Sequence, residues 1–296
     1  MTAAEQTLAV AFTEQRAHLI GVAYRLTGSV ADAEDAVQEA WLRLSRLSDR
    51  ARAEIADLRA WLTTVVGRLC LDQLRSAAVR RERYVGQWLP EPLVTSSEDD
   101  PLDAVVRDDG VRMAALVLLD ELTPEQRVAF VLHDAFGVPF DSIAETLGCA
   151  VATARQHASR GRRAASAAPP PPRVPPTEHR EVLEKFLAAL AAGDVAAVVG
   201  LLHPDVVALG DSDGKARTAL NAVVGAEKVA RFLLGLVRKY GGIPAGEPVL
   251  VNGEPGMKFP AQDKLAARVA AVAVRDGRVV AFYDFVNPDK LRHVTF

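Results

Sequence analysis

Apolar residues recur at three- and four-residue spacing through the first part of the chain. Leu19, Val22, Ala23 and Leu26 form one row, and Val37, Trp41 and Leu44 another. That period belongs to helices that bury one face. Ser29 precedes an acidic first turn, a helix-start signal. Residues 58–80 repeat the pattern through Trp61, Leu62, Val65, Val66, Leu69 and Leu74, so 8–83 is expected to be helical. The pattern fails over about residues 86–109. There WLPEPLVTSSEDDP carries two X-Pro steps and a polar cluster, which no single helix accommodates.

Helical spacing returns over 111–165. Thr123-Pro124-Glu125-Gln126 opens a helix with a capping threonine, a first-turn proline and an acid. Gly137-Val138-Pro139 closes it. A short helix over 141–147, a turn at Gly148-Cys149 and a helix over 151–163 follow. AASAAPPPPRVPP, residues 164–176, reads as an extended tether, because proline donates no backbone hydrogen bond and stiffens the chain. Beyond it, helices are expected over 179–192, ending at Gly193, and over 225–240. PVLVNGEPGMKFP, LAARVAAVAVRD and GRVVAFYDFV then read as strands, with Asp276-Gly277 as a hairpin turn. Helices followed by a strand meander indicate an α+β domain.

The 296 residues leave room for two or three domains, and a chain about half apolar and a quarter charged is that of a folded soluble protein. A net charge of −3 gives no whole-chain basic signature, so the distribution of charge matters. Arg75, Arg80, Arg81 and Arg83 cluster with one acid, Glu82. Arg155, Arg160, Arg162 and Arg163 cluster with none, and Asp32, Glu34, Asp35 and Glu39 are the reverse. Cys70 and Cys149 fall in different expected domains, which argues against a framework disulfide and fits a reducing compartment. The opening MTAAEQTLAVAFTEQRAHLIG lacks the pattern of a signal peptide, and no apolar run approaches the ~18 residues of a membrane span. The reading is a cytoplasmic protein. No zinc-spaced Cys/His cluster, phosphate-cradling glycine loop or nucleophile motif is present, so no metal, cofactor or catalysis is expected.

Three stretches carry candidate chemistry. The first, 139–163, has helix-turn-helix order, which places a recognition helix in the major groove. Its second helix presents Thr153, Arg155, Gln156, Ser159 and Arg160. Arginine reads guanine bidentately and glutamine reads adenine, while Arg162 and Arg163 suit phosphates. Ile143, Ala144, Leu147 and Val151 would join the two helices. A plain helical hairpin with a basic surface has the same pattern. The second stretch, DAEDAVQEAWLRL, puts Glu34, Gln38 and Trp41, or Asp35, Glu39 and Leu42, on one face. Such a face is either solvated or docks on a basic protein; it is not a DNA surface. The third, WLTTVVGRLCLDQLR with SAAVRRERY, ends in a basic cluster beside Tyr84, a combination suited to melted DNA, where bases stack on aromatics. Trp61 reads as core.

In this order, together with L-x-P-E-Q-R at Leu122 to Arg127, these motifs resemble extracytoplasmic-function sigma factors over about residues 10–165. The resemblance implies a region 2 domain over 8–84, which binds core polymerase and reads the −10 element. It implies a linker over 85–110 and a region 4 helix-turn-helix domain over 111–165, which reads the −35 element. The implied partners are promoter DNA and core RNA polymerase, met at the clamp helices of the largest subunit and at the beta flap. Glu34, Asp35, Gln38 and Glu39 would dock on the clamp helices. Arg68, Asp72 and Arg75 would capture the non-template strand, and Arg80, Arg81 and Arg83 would face the promoter backbone. Gly67-Arg68 stands where many members carry arginine then asparagine, so the family's −10 base preference does not transfer.

The C-terminal part resembles the SnoaL-like branch of the NTF2-like fold, a cone of helices against a curved sheet, through Gly193-Asp194, then Leu201-Leu202-His203-Pro204-Asp205-Val206, then the late strands. Two further motifs resemble the sigma-J-like group, in which such a domain is fused behind region 4. They are Trp88, Leu89, Pro90, Glu91, Pro92 and Leu93 in the linker, and Asn287, Pro288, Asp289, Lys290 and Leu291 near the C-terminus. The group's third motif stands as Asp211-Ser212-Asp213-Gly214-Lys215, which departs from the usual glycine-rich form. The implied architecture is multidomain: two all-α sigma domains, a Pro-rich tether over 166–176, and an α+β regulatory domain over 177–296. WLPEPL is too short to form a core of its own and is expected to dock on that domain. Two alternatives stay open. SnoaL-like folds include enzymes, for which Asp205, His203, Asp211, Tyr283 and Asp284 are candidate bases, or binders of a small ligand. A helix-turn-helix repressor is the other.

Overall fold

The structure, a computed structural model, describes residues 3–81, 83–95, 111–167, 169–263 and 265–296. The SSEDDP end of the linker lies outside them. The chain forms two compact units.

The first unit is helical. α1 (Ala3–Thr27) and α2 (Val30–Arg46) bury the expected rows, including Leu19, Val22, Leu26, Val37 and Leu44. Ser29 caps α2 by accepting the Asp32 N–H. α3 (Asp49–Ala53) is a single turn. α4 (Leu58–Arg81) brings in Leu62, Val66, Cys70 and Leu74. α5 (Met113–Asp120) precedes α6 (Pro124–Phe130), which opens on the Thr123–Gln126 capping box and continues as a π-helical turn, Val131–Ala135. α7 (Phe140–Leu147) ends at Gly148 with φ +65°, and α8 (Val151–Ala167) follows. α8 crosses α6 closely at Gly161: a Cβ there would lie 2.8 Å from Phe130 Cβ and 3.1 Å from the Gln126 carbonyl oxygen. The two halves of this unit pack together. Arg127, 1% exposed, donates from Nε and Nη2 to the Arg25 carbonyl (3.3 and 3.1 Å) and pairs with Asp120 (3.1 Å). Phe136 lies under the Arg25 guanidinium and meets His18 edge-on.

The second unit holds a seven-stranded sheet in the order β1-β4-β5-β6-β7-β2-β3, antiparallel except for the parallel pair β2–β7. Its strands are β1 (Val94–Thr95), β2 (Leu202–Asp211), β3 (Val223–Val224), β4 (Glu247–Val251), β5 (Glu254–Phe259), β6 (Arg268–Arg275) and β7 (Arg278–Phe285). α9 (Pro176–Ala192), α10 (Val195–Leu201) and α11 (Ala226–Tyr240) bury Val182, Phe186, Val198, Val229 and Leu233 with Val272, Val274 and Val279 of the sheet. Helices on a mixed sheet are the arrangement that the NTF2-like resemblance implies. Asp276-Gly277 and Asn252-Gly253 turn the β6–β7 and β4–β5 hairpins with positive φ at both residues.

Three expectations need correction. The stretch 164–176 is not one extended tether: α8 runs on to Ala167, and Pro176 begins α9, where a missing N–H costs nothing. The motif His203-Pro204-Asp205, whose sequence reads as a helix-ending turn, is not one. It lies within β2, at a register shift against β7 where Pro204 can donate nothing to the ladder. The expected linker is not a separate segment either. Residues 83–95 and Arg112–Ala114 belong to the second unit, in which β1 pairs with β4.

His179 of α9 is 2% exposed, and its Nε2 has no partner among the described residues. Burial, then the charge of Arg112, lowers its pKa from 6.5 to about 4. A depressed histidine contributes its stability above the unfolded pKa of 6.5 and loses it as the pH falls towards 4. We expect the unfolding free energy of the second unit to drop by about 3 kcal/mol across that window from this group alone. Denaturation series at several pH values, compared with His179→Gln, should show a smaller drop in the variant.

Candidate functional site

The helical unit presents the sequence-predicted surfaces as follows. Glu34, Asp35 and Gln38 are exposed on α2, and Glu39 is partly covered. α2 can offer them because Ala33, Ala36, Val37 and Ala40 turn inward. Ion pairs on this face are solvent-screened: Arg16 to Glu34 at 3.6 Å, and Arg43, hydrogen-bonded to Glu39 at 3.1 Å. Arg68, Asp72 and Arg75 are exposed on α4. Arg75 is engaged by Glu125, through Nε at 3.1 Å and Nη2 at 2.9 Å. The side chains of Arg80 and Arg81 lie outside the described residues. Gly67, the residue that departs from the family pattern, is buried; a Cβ on it would lie 2.9 Å from Leu132 Cδ1. On α8, Arg155, Gln156, Ser159, Arg160, Arg162 and Arg163 are exposed and Thr153 is half-buried. Ala154, Ala158 and Gly161 take the inner face. Arg162 is held by both oxygens of Asp134 (2.8 and 2.9 Å). Arg155 lies 5.6 Å from the centroid of the Phe140 ring.

In the second unit the three short motifs converge on one buried carboxylate. Asp211 ends β2 and is 0% exposed. Its Oδ2 accepts the Leu89 N–H at 2.7 Å and pairs with Lys290 Nζ at 2.6 Å. Its Oδ1 accepts the Tyr84 hydroxyl, which in turn accepts from Asn287 Nδ2 at 2.8 Å. Lys290 also donates to the Leu89 carbonyl and sits 4.1 Å from the centroid of the Trp88 ring. Burial, then the negative charge of Asp211, raises the Tyr84 phenol well above its usual range. The hydroxyl therefore stays a donor.

The neighbouring turn is shaped by Asp213 (φ +50°) and Gly214 (φ +68°). Asp213 accepts the Val85 N–H at 3.3 Å, and Lys215 bridges Asp213 and Asp289. Pro288, Asp289 and Lys290 form one 3₁₀ turn capped by Asn287, and Leu291 is buried behind it. At the far end, Leu93 exchanges hydrogen bonds with Asn252, giving its N–H to Oδ1 (3.1 Å) and accepting the Asn252 N–H (2.8 Å). Glu91 pairs with His293 at 3.2 Å, and the Pro92 carbonyl meets the same ring. Trp88, Leu89, Pro90, Glu91, Pro92 and Leu93 thus form a strap bound at both ends. A separate pair, Arg112 and Glu254, is buried at 2.8 Å, with Arg112 also donating to the Pro171 carbonyl.

Sequence reasoning assigned Tyr84 to the basic stretch that suits melted DNA. Its hydroxyl is instead committed to Asp211, and Arg83 beside it also belongs to the second unit. Arg112, Glu254, Asn252 and His293 are not among the expected site residues; Asn252 is marked only as half of an Asn-Gly turn, and nothing in the local sequence marks the other three. The five candidate bases are spread over the domain. Asp205 is exposed and gives its N–H to Nδ1 of the half-buried His203 at 3.2 Å, Asp211 is occupied, and Tyr283 is buried, with its phenol raised by burial and by the Glu254 charge. Asp284 lines an apolar cavity; burial raises its carboxyl, opposed by Arg268 and Thr218. Among the described residues no cluster is placed to hold a metal ion, and no helix is long and apolar enough to cross a membrane.

A helix-turn-helix beside an acidic helix face fits a transcription initiation factor, and sequence comparison gives that class. Sigma-70 region 2 matches residues 12–80, and Sigma-70, region 4 matches residues 112–164. The chain is 55% identical over 289 residues to the ECF RNA polymerase sigma factor SigJ of Mycobacterium tuberculosis, covering 94% of this chain and 91% of that protein. It is 35% identical over 286 residues to the probable ECF RNA polymerase sigma factor SigI of the same species, covering 96% and 94%. The crystal structure of Mycobacterium tuberculosis SigJ matches with a TM-score of 0.78 at 51% identity, covering 96% of this chain and 98% of that one. The chain belongs to the extracytoplasmic-function sigma factors.

Proposed function

We propose that this sigma factor binds core RNA polymerase, directs initiation at specific promoters, and is modulated by its own C-terminal domain. On this reading, Glu34, Asp35, Gln38 and Glu39 dock on the clamp helices of the largest subunit, and region 4 meets the beta flap. Arg68, Asp72 and Arg75, with Arg80, Arg81 and Arg83, serve the −10 element. The outer face of α8 serves the −35 element: Arg155, Gln156 and Arg160 at base edges, Arg162 and Arg163 at phosphates. Arg75 and Arg162 must exchange Glu125 and Asp134 for DNA, a modest cost because both pairs are partly solvated.

The observation that carries the regulatory part is the Asp211 cluster. The connection between regions 2 and 4 leaves one helical segment and enters the next through residues held by the C-terminal domain: the strap at Asp211 and Asn252, and Arg112 at Glu254. Any change in that domain therefore acts on the freedom of the two DNA-reading regions.

Run-off transcription with purified core polymerase on a promoter library tests the whole reading. The full chain and a form ending near Ala165 should both be compared with core alone. Glu34→Lys with Asp35→Lys should lower initiation at least about tenfold, the equivalent of ~1.4 kcal/mol at the docking face. Trp88→Ala with Leu89→Ala should change the full-length protein's output and leave the truncated form's unchanged. No initiation by either wild-type form would reject the sigma reading, and equal output with and without Trp88 and Leu89 would reject the regulatory one.

A further inference from the structure

Two arginines of helix α8 are held in different ways by the chain before it. Arg162 is gripped by both oxygens of Asp134, on the π-helical turn Val131–Ala135, at 2.8 and 2.9 Å, and those bonds occupy its Nε and Nη2 donors. Arg155 is exposed and lies over the ring of Phe140, with its guanidinium carbon 5.6 Å from the centroid. The attraction of a guanidinium to a ring face is electrostatic and uses none of its N–H donors. Arg155 therefore keeps its donor edge for an acceptor. Guanine O6 and N7 are the pair of acceptors that this edge fits bidentately.

Phe140 is itself braced. It is the first residue of α7, directly after the N-cap Pro139. The centroid of the His133 ring lies 4.0 Å from its own at 30°, and His133 Nδ1 donates to the Val138 carbonyl at 3.1 Å, which fixes that ring in turn. The inward residues of α7 and α8 include Ile143, Ala144, Leu147, Ala154 and Ala158, all buried. Phe140 is only half-buried. An arginine on an exposed helix face samples many rotamers, and bidentate reading needs one geometry. A braced ring beside it narrows the choice before DNA arrives.

With α8 read as the −35 helix, on which this step rests, we propose that Phe140, braced by His133, is a positioning residue for promoter specificity: it sets the Arg155 guanidinium in place to read one guanine of the −35 element.

The test is run-off transcription by the full chain with core polymerase, on the strongest promoter of the library with its −35 element randomised one position at a time. Arg155→Ala should flatten the preference for guanine at one position by about tenfold. Phe140→Leu should flatten the preference at that same position by about threefold and leave the other positions as they are. Phe140→Tyr, which keeps a ring, should keep the preference. Arg155→Ala with Phe140→Leu should be no flatter there than Arg155→Ala alone. A merely structural role would instead lower output at every position alike. The proposal is overturned if Phe140→Leu keeps the full preference at the position that Arg155→Ala reveals, if its loss is uniform over the element, or if the double variant loses more than Arg155→Ala. An Arg155→Ala profile identical to wild type would reject the reading of Arg155 at a base edge, and this proposal with it. Should Phe140→Leu fail to fold, His133→Leu, which removes the brace and leaves the ring, should show the same single-position loss to a smaller extent; a full preference in that variant overturns the proposal.

Discussion

Replacing Asp211 by alanine should destabilise the C-terminal domain by about 3–5 kcal/mol and release the strap. The carboxylate is fully buried and pairs with Lys290, while its other bonds fix the Leu89 N–H and the Tyr84 hydroxyl. Deleting the carboxylate leaves the Lys290 ammonium with only the Leu89 carbonyl and leaves the buried Leu89 N–H and the half-buried Tyr84 hydroxyl without it, and the cost is set by those orphans rather than by the strength of the pair. For a domain of this size that corresponds to a melting-point drop of order 10 °C. Lys290→Met alone should cost less, because Asp211 keeps two donors. Asp211→Asn with Lys290→Met should recover much of the loss, since it restores neutrality and keeps an acceptor. Hydrogen exchange localises the effect: in Asp211→Ala the Leu89 amide should lose protection, while the Leu93 amide, held by Asn252, should lose less. Unchanged protection at Leu89 would mean that the strap is held by the packing of Leu89 and Leu93 and not by the carboxylate.

Why this cluster escaped sequence reading, when the helices did not, follows from where its partners come from. The rows Leu19–Leu26 and Leu62–Leu74 are local, and a period of 3.6 announces them. The β6–β7 hairpin was legible because Asp276-Gly277 supplies positive φ at two adjacent positions, which few other pairs tolerate. β2 was not legible. Pro204 interrupts its alternation, and its partner β7 runs parallel some seventy residues on, with no turn to mark the pairing. The strap, the Asp211 turn and the 287–291 segment were recognised as motifs through family resemblance. Resemblance does not say which atoms meet, and Tyr84, Leu89, Asp211 and Lys290 are joined only by the fold. Arg112 and Glu254 illustrate the same limit without any motif: each reads as a surface charge, and each is buried because the other is.

The second large effect lies in the helical unit. Arg127→Met should cost that unit about 3–5 kcal/mol, again by leaving buried groups unmet: the Arg25 carbonyl and the Asp120 carboxylate. Arg127 is the last residue of the L-x-P-E-Q-R motif, and the fold explains the whole run. Thr123 and Gln126 cap the helix, Pro124 fits its first turn, and Arg127 bonds region 4 to the end of α1. Asp120→Asn should cost less, since it weakens only the contact inside region 4. The nearby Arg75–Glu125 pair is half-exposed, so Arg75→Ala should cost no more than ~1 kcal/mol. Chemical denaturation ranks the three. A label pair on α2 and α8 then reports geometry, and in Arg127→Met the mean distance should grow. That separation is what the proposed function requires. Elements about 25 base pairs apart lie roughly 85 Å apart along a duplex, and on the proposed reading the bond from Arg127 to the Arg25 carbonyl holds regions 2 and 4 closer than that span. If Arg127→Met loses stability without lengthening the distance, Arg127 supports the fold of region 4 and the closed packing rests on Phe136 and on the Gly67–Leu132 contact instead.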